Sequence, residues 1–258
     1  LHGGKVSLML RSVYRIIIIF IGLMLLCNVT ATVTAIELYS CPYCHETSES
    51  CYTDETGAIY CKEKLMKYPK DQEIEVYYVK DGTHYIAEEA FSANPYIRQV
   101  IIPEGVVKIG ECAFESCFAL ERVELPQSLM IIESGAFSVC TSLSEVRMSE
   151  GIYAIGDSAF SDCWNLKALS LPETLRFIGT EAFAVSGLEE VYIHTIDLIT
   201  GSWIFPRKYD EDTLTIHLPR VMIEEEAGMM DGLLEELRTK KYVSIHYDLS
   251  SSYDIENE

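Results

Sequence analysis

The chain has 258 residues, of which 48% are hydrophobic and 23% charged, so it can build a continuous core and is not a disordered protein. Its 40 acidic residues outnumber 20 basic ones, and the formal net charge of −20 at pH 7 argues against nucleic acid and anionic lipid surfaces as partners. A chain of this length would ordinarily be assigned one or two globular domains, so internal repeats have to be sought first.

Residues 1–35 predict a secretory signal peptide. Arg11 and Arg15 precede an uncharged apolar run of 12 residues at positions 16–27, and small and polar residues follow up to Ala35. A helix needs about 20 apolar residues to cross the hydrocarbon core, so we expect cleavage after Ala35. An uncleaved signal segment is the one membrane attachment that this pattern allows. The chain is therefore expected to be secreted or held at the cell surface.

Residues 36–70 form a cysteine-rich segment that is too small to build a core of its own. It contains four cysteines within 21 residues: Cys41, Cys44, Cys51 and Cys61. Directly after an export signal, disulfides are the expected means of stabilising such a segment, and the sequence does not choose among the three possible pairings.

Two other interpretations of these cysteines remain open. In a zinc site, Cys41-x-x-Cys44 would supply one half, although Cys51 and Cys61 lack the close spacing of a zinc ribbon. In a glutaredoxin-like redox pair, Cys41-Pro42-Tyr43-Cys44 would carry the reactive thiol, although residues 45–60 do not have the apolar period of the helix that should follow.

A strand predicted at residues 73–79 and a turn at residues 80–83 lead into a repeat of 23 residues. Five alanine–phenylalanine pairs mark the repeat: Phe91, Phe114, Phe137, Phe160 and Phe183. Five residues before each phenylalanine stands an isoleucine: Ile86, Ile109, Ile132, Ile155 and Ile178. Three cysteines occupy one further column: Cys117, Cys140 and Cys163. We interpret these as a buried thiol ladder, because Asn94 and Ser186 replace them in the flanking coils and free cysteine behaves as a small apolar residue.

One such coil cannot bury both its faces, so copies have to stack. Residues 123–125 and their equivalents alternate as a strand does, and the segment from Ile109 to Phe114 predicts a short helix or 3₁₀ turn on the convex side. The fold class predicted is an α/β repeat: a solenoid with one parallel strand per coil.

The unit from Leu125 to Leu143 resembles the BspA-like leucine-rich repeat, and the resemblance covers roughly residues 83 to 219. It implies a surface or secreted protein that binds proteins of a host or neighbouring-cell surface or matrix, and members are not typically enzymes. We place the repeats at residues 71–219, as about six coils of which the first and last are degenerate.

The fifth and sixth coils depart from the repeat. Ser186 stands in the cysteine column, one residue is deleted before Leu188, and Phe205 takes the phenylalanine position of the sixth coil. A C-terminal cap is predicted at residues 220–249, as a helix followed by a strand near 243–247. One face of the helix carries the apolar residues Ile223, Ala227, Met230, Leu234 and Leu237. Residues 250–258 predict a frayed tail.

The outward strand positions predict where a partner would bind. The candidates are Arg122, Glu124, Glu145, Arg147, Tyr192 and His217, with Trp203 in the irregular sixth coil. One interpretation takes the charges as cross-strand pairs worth roughly a few tenths of a kcal/mol each. The other takes the strip as the partner surface, since solenoids bind through their concave face.

The sequence contains no converging set of nucleophile, base and metal ligands, and its histidines are scattered. We therefore predict an extracellular or cell-surface protein-binding or adhesion module with no catalytic activity and no cofactor. The alternatives are a thiol-disulfide or zinc-dependent activity of the Cys41–Cys61 segment and a structural, self-assembling surface protein.

Overall fold

A computed structural model describes residues 51–195, 197–206, 213–219, 233, 237, 238 and 240–248. All of them belong to one compact unit. The predicted signal peptide, Cys41, Cys44 and the predicted tail lie outside the described residues. Within these residues, no helix has the length and apolar character to cross a membrane.

Seventeen strands have their bounds in the described part of the chain. They are β1 (Cys51–Thr53), β2 (Ile59–Cys61), β3 (Lys64–Lys67), β4 (Val76–Tyr78), β5 (Tyr85–Ile86), β6 (Gln99–Ile101), β7 (Lys108–Ile109), β8 (Arg122–Glu124), β9 (Ile131–Ile132), β10 (Glu145–Arg147), β11 (Ala154–Ile155), β12 (Ala168–Leu171), β13 (Phe177–Ile178), β14 (Glu190–Ile193), β15 (Ile199–Thr200), β16 (Leu214–Pro219) and β17 (Val243–Asp248).

The strands form one long sheet and two short ones. The long sheet has the order β1-β2-β3-β5-β7-β9-β11-β13-β15 and is parallel from β3 onward. The first short sheet contains β4, β6, β8 and β10, and the second contains β12, β14, β16 and β17. Each regular coil therefore contributes one strand to the long sheet and one to a short sheet, which makes the molecule a β-solenoid.

The register explains the 23-residue spacing. Ile132 is the register partner of both Ile109 and Ile155, one coil away on either side. Because the repeat length equals the length of one coil, each apolar column becomes a continuous buried stripe. The five phenylalanines of the repeat, from Phe91 to Phe183, are each at most 1% exposed. Their rings stack with centroids 4.7 to 5.6 Å apart, and Phe205 continues the stack at 6.1 Å from Phe183.

The sequence predicts a short helix or 3₁₀ turn between Ile109 and Phe114; the structure has turns there, so the helix is wrong, and with it the α/β class of the repeat. Backbone amides of Cys112 and Phe114 donate to Ser134 and Ala136 of the next coil, at 2.9 and 2.7 Å. Cys112 also has a φ of +51°, which a right-handed helix does not allow. The segment is a series of turns: Ala113 donates to Gly110 within the coil, whereas the amides of Cys112 and Phe114 join neighbouring coils.

The N-terminal end of the core is closed by β1 to β3 and a group of tyrosines. Tyr68 and Tyr77 pack against Phe91, with ring centroids 5.2 and 5.7 Å from its ring. The hydroxyls of Tyr60 and Tyr77 lie 2.7 Å apart, and Tyr77 donates to Asp54 at 3.0 Å. Burial and then the contact with Tyr60 raise the pKa of Tyr77. These tyrosines keep the first phenylalanine of the stack out of water.

The C-terminal end contains a strand where one was expected, and of the predicted helix the described residues Leu233 and Leu237 are helical. β17 lies parallel to β16 and pairs Leu214 with Val243. Most of the predicted helix falls on residues outside those described, and no helix has its bounds within the described part. Of that segment, Leu233 and Leu237 are described and both are buried.

Candidate binding surface

Four of the candidate residues lie on neighbouring strands of the first short sheet. Arg122 is the register partner of Glu145, and Glu124 is the partner of Arg147. Glu145 accepts both arginines, with Nε of Arg122 and Nε of Arg147 each 2.7 Å from one of its oxygens. Arg147 therefore turns to Glu145 of its own strand instead of pairing across to Glu124. Exposed pairs of this kind contribute little to stability, so their effect is to orient the charges.

A second column of charges, not among the candidates predicted from the sequence, lies one residue before strands of both short sheets. Arg98 bridges Glu75 and Glu121 of the coils on either side, and Nζ of Lys167 lies 2.8 Å from Glu189. The signal was present in the sequence, because Glu75, Arg98 and Glu121 are 23 residues apart and alternate in sign.

One tyrosine and two histidines form a column on the outward face of the second short sheet. Tyr192 and His217 are register partners, and their rings lie parallel with centroids 4.2 Å apart. His246 is the partner of His217 on β17, with ring centroids 5.7 Å apart. The Tyr192 hydroxyl donates to Glu190 at 3.1 Å, and this bond raises the pKa of Tyr192. His246 was not among the candidates, although the predicted strand at 243–247 contains it.

Ser170 and His194 extend this cluster. Ser170 is the register partner of Tyr192 on β12, and its Oγ lies 3.0 Å from Nε2 of the exposed His194. Nε2 of His217 is buried and has no hydrogen-bond partner among the described residues. His194 and His217 therefore have different neighbours, Ser170 for His194 and Tyr192 for His217.

Trp203 lies in the loop between β15 and β16 and not in this column. Its backbone has a φ of +60°, and Nζ of Lys240 lies 4.3 Å from the ring centroid, a cation–π contact. Together with Leu233, Leu237 and Tyr242, Trp203 lines a small crevice at the C-terminal end. The indole of Trp203 therefore packs at the C-terminal end of the core and not among the outward strand positions.

The described half of the cysteine-rich segment brings two candidates together. Cys51 and Cys61 are register partners in the antiparallel pair β1–β2, with Cys61 buried and Cys51 half-buried. Directly opposed residues in such a pair have Cα atoms roughly 4.5 to 5.5 Å apart, within the range that a disulfide spans. The described residues contain no group of three metal-ligating side chains, but Cys41 and Cys44 are not among them.

The three column cysteines lie inside the core. Each Sγ donates to a phenylalanine carbonyl of the preceding coil: Cys117 to Phe91, Cys140 to Phe114 and Cys163 to Phe137, at 3.2, 3.1 and 3.3 Å. Burial raises the pKa of Cys117 and of Cys163 to about 12, and that of Cys140 in the same direction. These thiols join coils and are not nucleophiles. Ser186, in the same column, donates to Phe183 of its own coil at 2.7 Å, so hydrogen bonding as well as size suits this position.

Comparison with known proteins identifies the repeat. The model of the BspA-type leucine-rich repeat region matches residues 74–208 in six copies, which is more than half of the chain. The chain belongs to this family. A search of curated proteins finds no significant match to this BspA-type chain.

Solved structures of bacterial leucine-rich repeat proteins resemble the chain. The leucine-rich repeat protein of T. pallidum is 21% identical with a TM-score of 0.50, over 77% of this chain and 96% of that chain. Pneumococcal vaccine antigen PcpA is 19% identical with a TM-score of 0.48, over 79% of this chain and 49% of its own. A leucine-rich cell surface protein of Faecalibacterium prausnitzii is 21% identical with a TM-score of 0.43, over 59% and 50%. The chain thus spans about half the length of the last two. At these identities the likeness to the T. pallidum protein shows the fold.

Proposed function

We propose that this BspA-type chain is exported and recognises another protein through the outward face of its second short sheet, without catalysing a reaction. The observation that carries the proposal is the in-register column of Tyr192, His217 and His246, in which the first two rings stack. Tyr192 is 36% exposed, and aromatic side chains with a polar tip are the residues that protein interfaces favour.

The charged rungs of the first short sheet support the same proposal. The arginines at positions 122 and 147 are held by Glu145 and remain more than half exposed. Arginines ordered in this way can exchange or share their carboxylate with a partner at little cost in side-chain entropy. Export is supported by the predicted signal peptide at residues 1–35 and by the family. The partner proposed is a protein of a host or neighbouring-cell surface or matrix.

A retention experiment tests the surface. The full chain is immobilised and exposed to solubilised surface and matrix proteins, in parallel with the double variant Tyr192→Ala/His217→Ala. The matched control is Trp164→Ala, because Trp164 is 58% exposed and lies in a turn outside the strands of this sheet. A partner retained by the wild type and by the control should bind the double variant at least roughly tenfold more weakly. Equal retention by all three chains would rule out the proposed surface.

Self-assembly and enzymatic activity make different predictions. A self-assembling chain would form oligomers in light scattering that the double variant breaks, with no foreign protein retained. A thiol-disulfide or zinc-dependent activity would reside in the Cys41–Cys61 segment and would be unaffected by the double variant.

A further inference from the structure

The outward face of the long sheet carries a second surface. Its outward positions are in register from coil to coil: Lys64, Tyr85, Lys108, Ile131, Ala154, Phe177 and Ile199. Two lysines interrupt the first part of this column, and from Ile131 onward every member is apolar. The column is separate from the Tyr192 face, which lies on the second short sheet.

Exposed apolar side chains immediately before β9 and β11 widen this column into a strip. We define the apolar strip as Met130, Ile131, Tyr153, Phe177 and Ile199, which are 38 to 50% exposed. The rings of Tyr153 and Phe177 meet edge to face, with centroids 5.2 Å apart. Isolated apolar side chains are ordinary on a protein surface, but a contiguous set across four coils indicates a binding site.

Carboxylates flank the strip on both sides of these coils. Before the strands stand Glu150, Glu173 and Asp197, and after them stand Glu133, Asp157 and Glu181. Two cations lie beside the strip. Lys108 is paired with Glu133 at 2.6 Å, and Nη1 of Arg176 donates to the carbonyls of Glu173 and Leu175 and to the hydroxyl of Thr195. Six carboxylates against two cations leave this surface with a net charge of −4.

Two of these carboxylates are already held in place. Asp157 accepts the backbone amide of Thr180 at 2.7 Å, and Glu150 accepts that of Glu173 at 3.1 Å, each from the next coil. A carboxylate has about four lone-pair sites, so each retains capacity for an incoming ammonium or guanidinium group. Because the backbone contact fixes them, little side-chain entropy is lost when a cation binds.

We propose that the apolar strip is a docking site for a basic amphipathic polypeptide segment. Such a segment would place its apolar side chains on Tyr153, Phe177 and their neighbours and its lysines or arginines against the two rows of carboxylates. The charge decides among occupants. A second copy of this chain, with its own net charge of −20, would bring like charges together, and nucleic acid or an anionic membrane would be repelled in the same way.

The test uses a fluorescently labelled short peptide of alternating leucine and lysine and a twin in which glutamate replaces each lysine, with the full chain as receptor. We expect the lysine peptide to bind and the glutamate twin not to bind. Raising the ionic strength from about 0.05 to about 0.5 M should weaken binding, because exposed charges are screened. The variant Ile131→Ser/Tyr153→Ser/Phe177→Ser should lower the affinity roughly tenfold or more.

Three controls make the result decisive. Trp164→Ser removes a still more exposed aromatic ring outside the strip and should bind the peptide as the wild type does. Tyr192→Ala/His217→Ala should also bind the peptide normally. The peptide assay therefore tests the apolar strip separately from the proposed function of the second short sheet. If the triple variant does not fold by circular dichroism, Glu181→Gln/Asp197→Asn replaces it and should reduce both the affinity and its salt dependence. Equal binding of the glutamate twin, full affinity in the variants, or a homodimer that the strip variants abolish would each overturn the proposal.

Discussion

The rings of Phe114 and Phe137 lie parallel, with centroids 5.0 Å apart and only 2° between their planes. The two residues are 23 positions apart in sequence and occupy the same place in successive coils. The distance between successive coils is therefore the distance between successive stacked rings. Removal of a ring within the stack leaves a gap between its two neighbours.

Phe137→Ala should lower the free energy of unfolding by about 3 to 5 kcal/mol, because a fully buried phenylalanine is replaced by a cavity between Phe114 and Phe160. The matched control is Phe118→Ala, because Phe118 is half exposed and should cost less than about 1 kcal/mol. Urea unfolding of both variants measures the difference. Similar midpoints for the two would contradict the stacked core.

The positions of the buried column residues could be predicted from the sequence. Phe137, Ile132 and Cys140 lie where a 23-residue coil places them, because burial fixes their period. The turn chemistry between Ile109 and Phe114 could not be read in the same way. Its apolar offsets suit a helix as well as a turn, and only the coil-to-coil hydrogen bonds of Cys112 and Phe114 exclude the helix.

The surface was less predictable than the core. Alternation places Tyr192 and His217 on one face, but the stacking partner His246 depends on β17 adding to β16 beyond the repeats. Arg147 lies opposite Glu124 in register, but its side chain pairs with Glu145 of its own strand. The sequence period determines which side of the sheet a residue faces, whereas the side-chain rotamer determines which residue it contacts.

Gly187 shows the structural consequence of the residue deleted in the fifth coil. A Cβ at this position would lie 1.9 Å from the carbonyl oxygen of Trp164 in the preceding coil. Gly187→Ala should therefore cost about 1 to 3 kcal/mol, because the coils would have to separate. Asn165→Ala, an exposed change in the neighbouring coil, should stay within about 0.5 kcal/mol. Thermal unfolding of the two variants decides, and a Gly187→Ala variant as stable as the control would refute the close approach.

The buried thiols predict a loss of stability at alkaline pH. Burial raises the pKa of Cys117 and Cys163 from 9.0 to about 12 in the folded chain. Between these values the unfolded chain binds fewer protons, so the stabilisation present below pH 9.0 is lost as pH rises, by about 1.4 kcal/mol per pH unit for each thiol.

The measurement is urea unfolding at several pH values above and below 9, on the wild type and on Cys117→Ala/Cys163→Ala. The variant is expected to be less stable at neutral pH but to lose stability more slowly above pH 9. Parallel curves for the two chains would show that these thiols ionise as readily in the folded state as in the unfolded one.

Cys51 and Cys61 should form a disulfide when the chain is produced in an oxidising compartment, since they face each other across β1 and β2. Peptide mapping without reduction should recover residues 51 and 61 in one linked fragment. Purified protein that contains one equivalent of zinc, with thiols alkylated only after the metal is removed, would contradict this expectation and favour the zinc interpretation of Cys41, Cys44, Cys51 and Cys61.

The most direct test of recognition through the second short sheet is site-specific photo-crosslinking. A photoreactive phenylalanine analogue replaces Tyr192 in one full chain and Trp164 in another, and both are irradiated with a mixture from which the wild type retains a partner. The account predicts an adduct with that partner from position 192 and none from position 164, and the adduct should diminish when His217→Ala is added. Adducts of equal yield from both positions, or an adduct from position 164 alone, would contradict it.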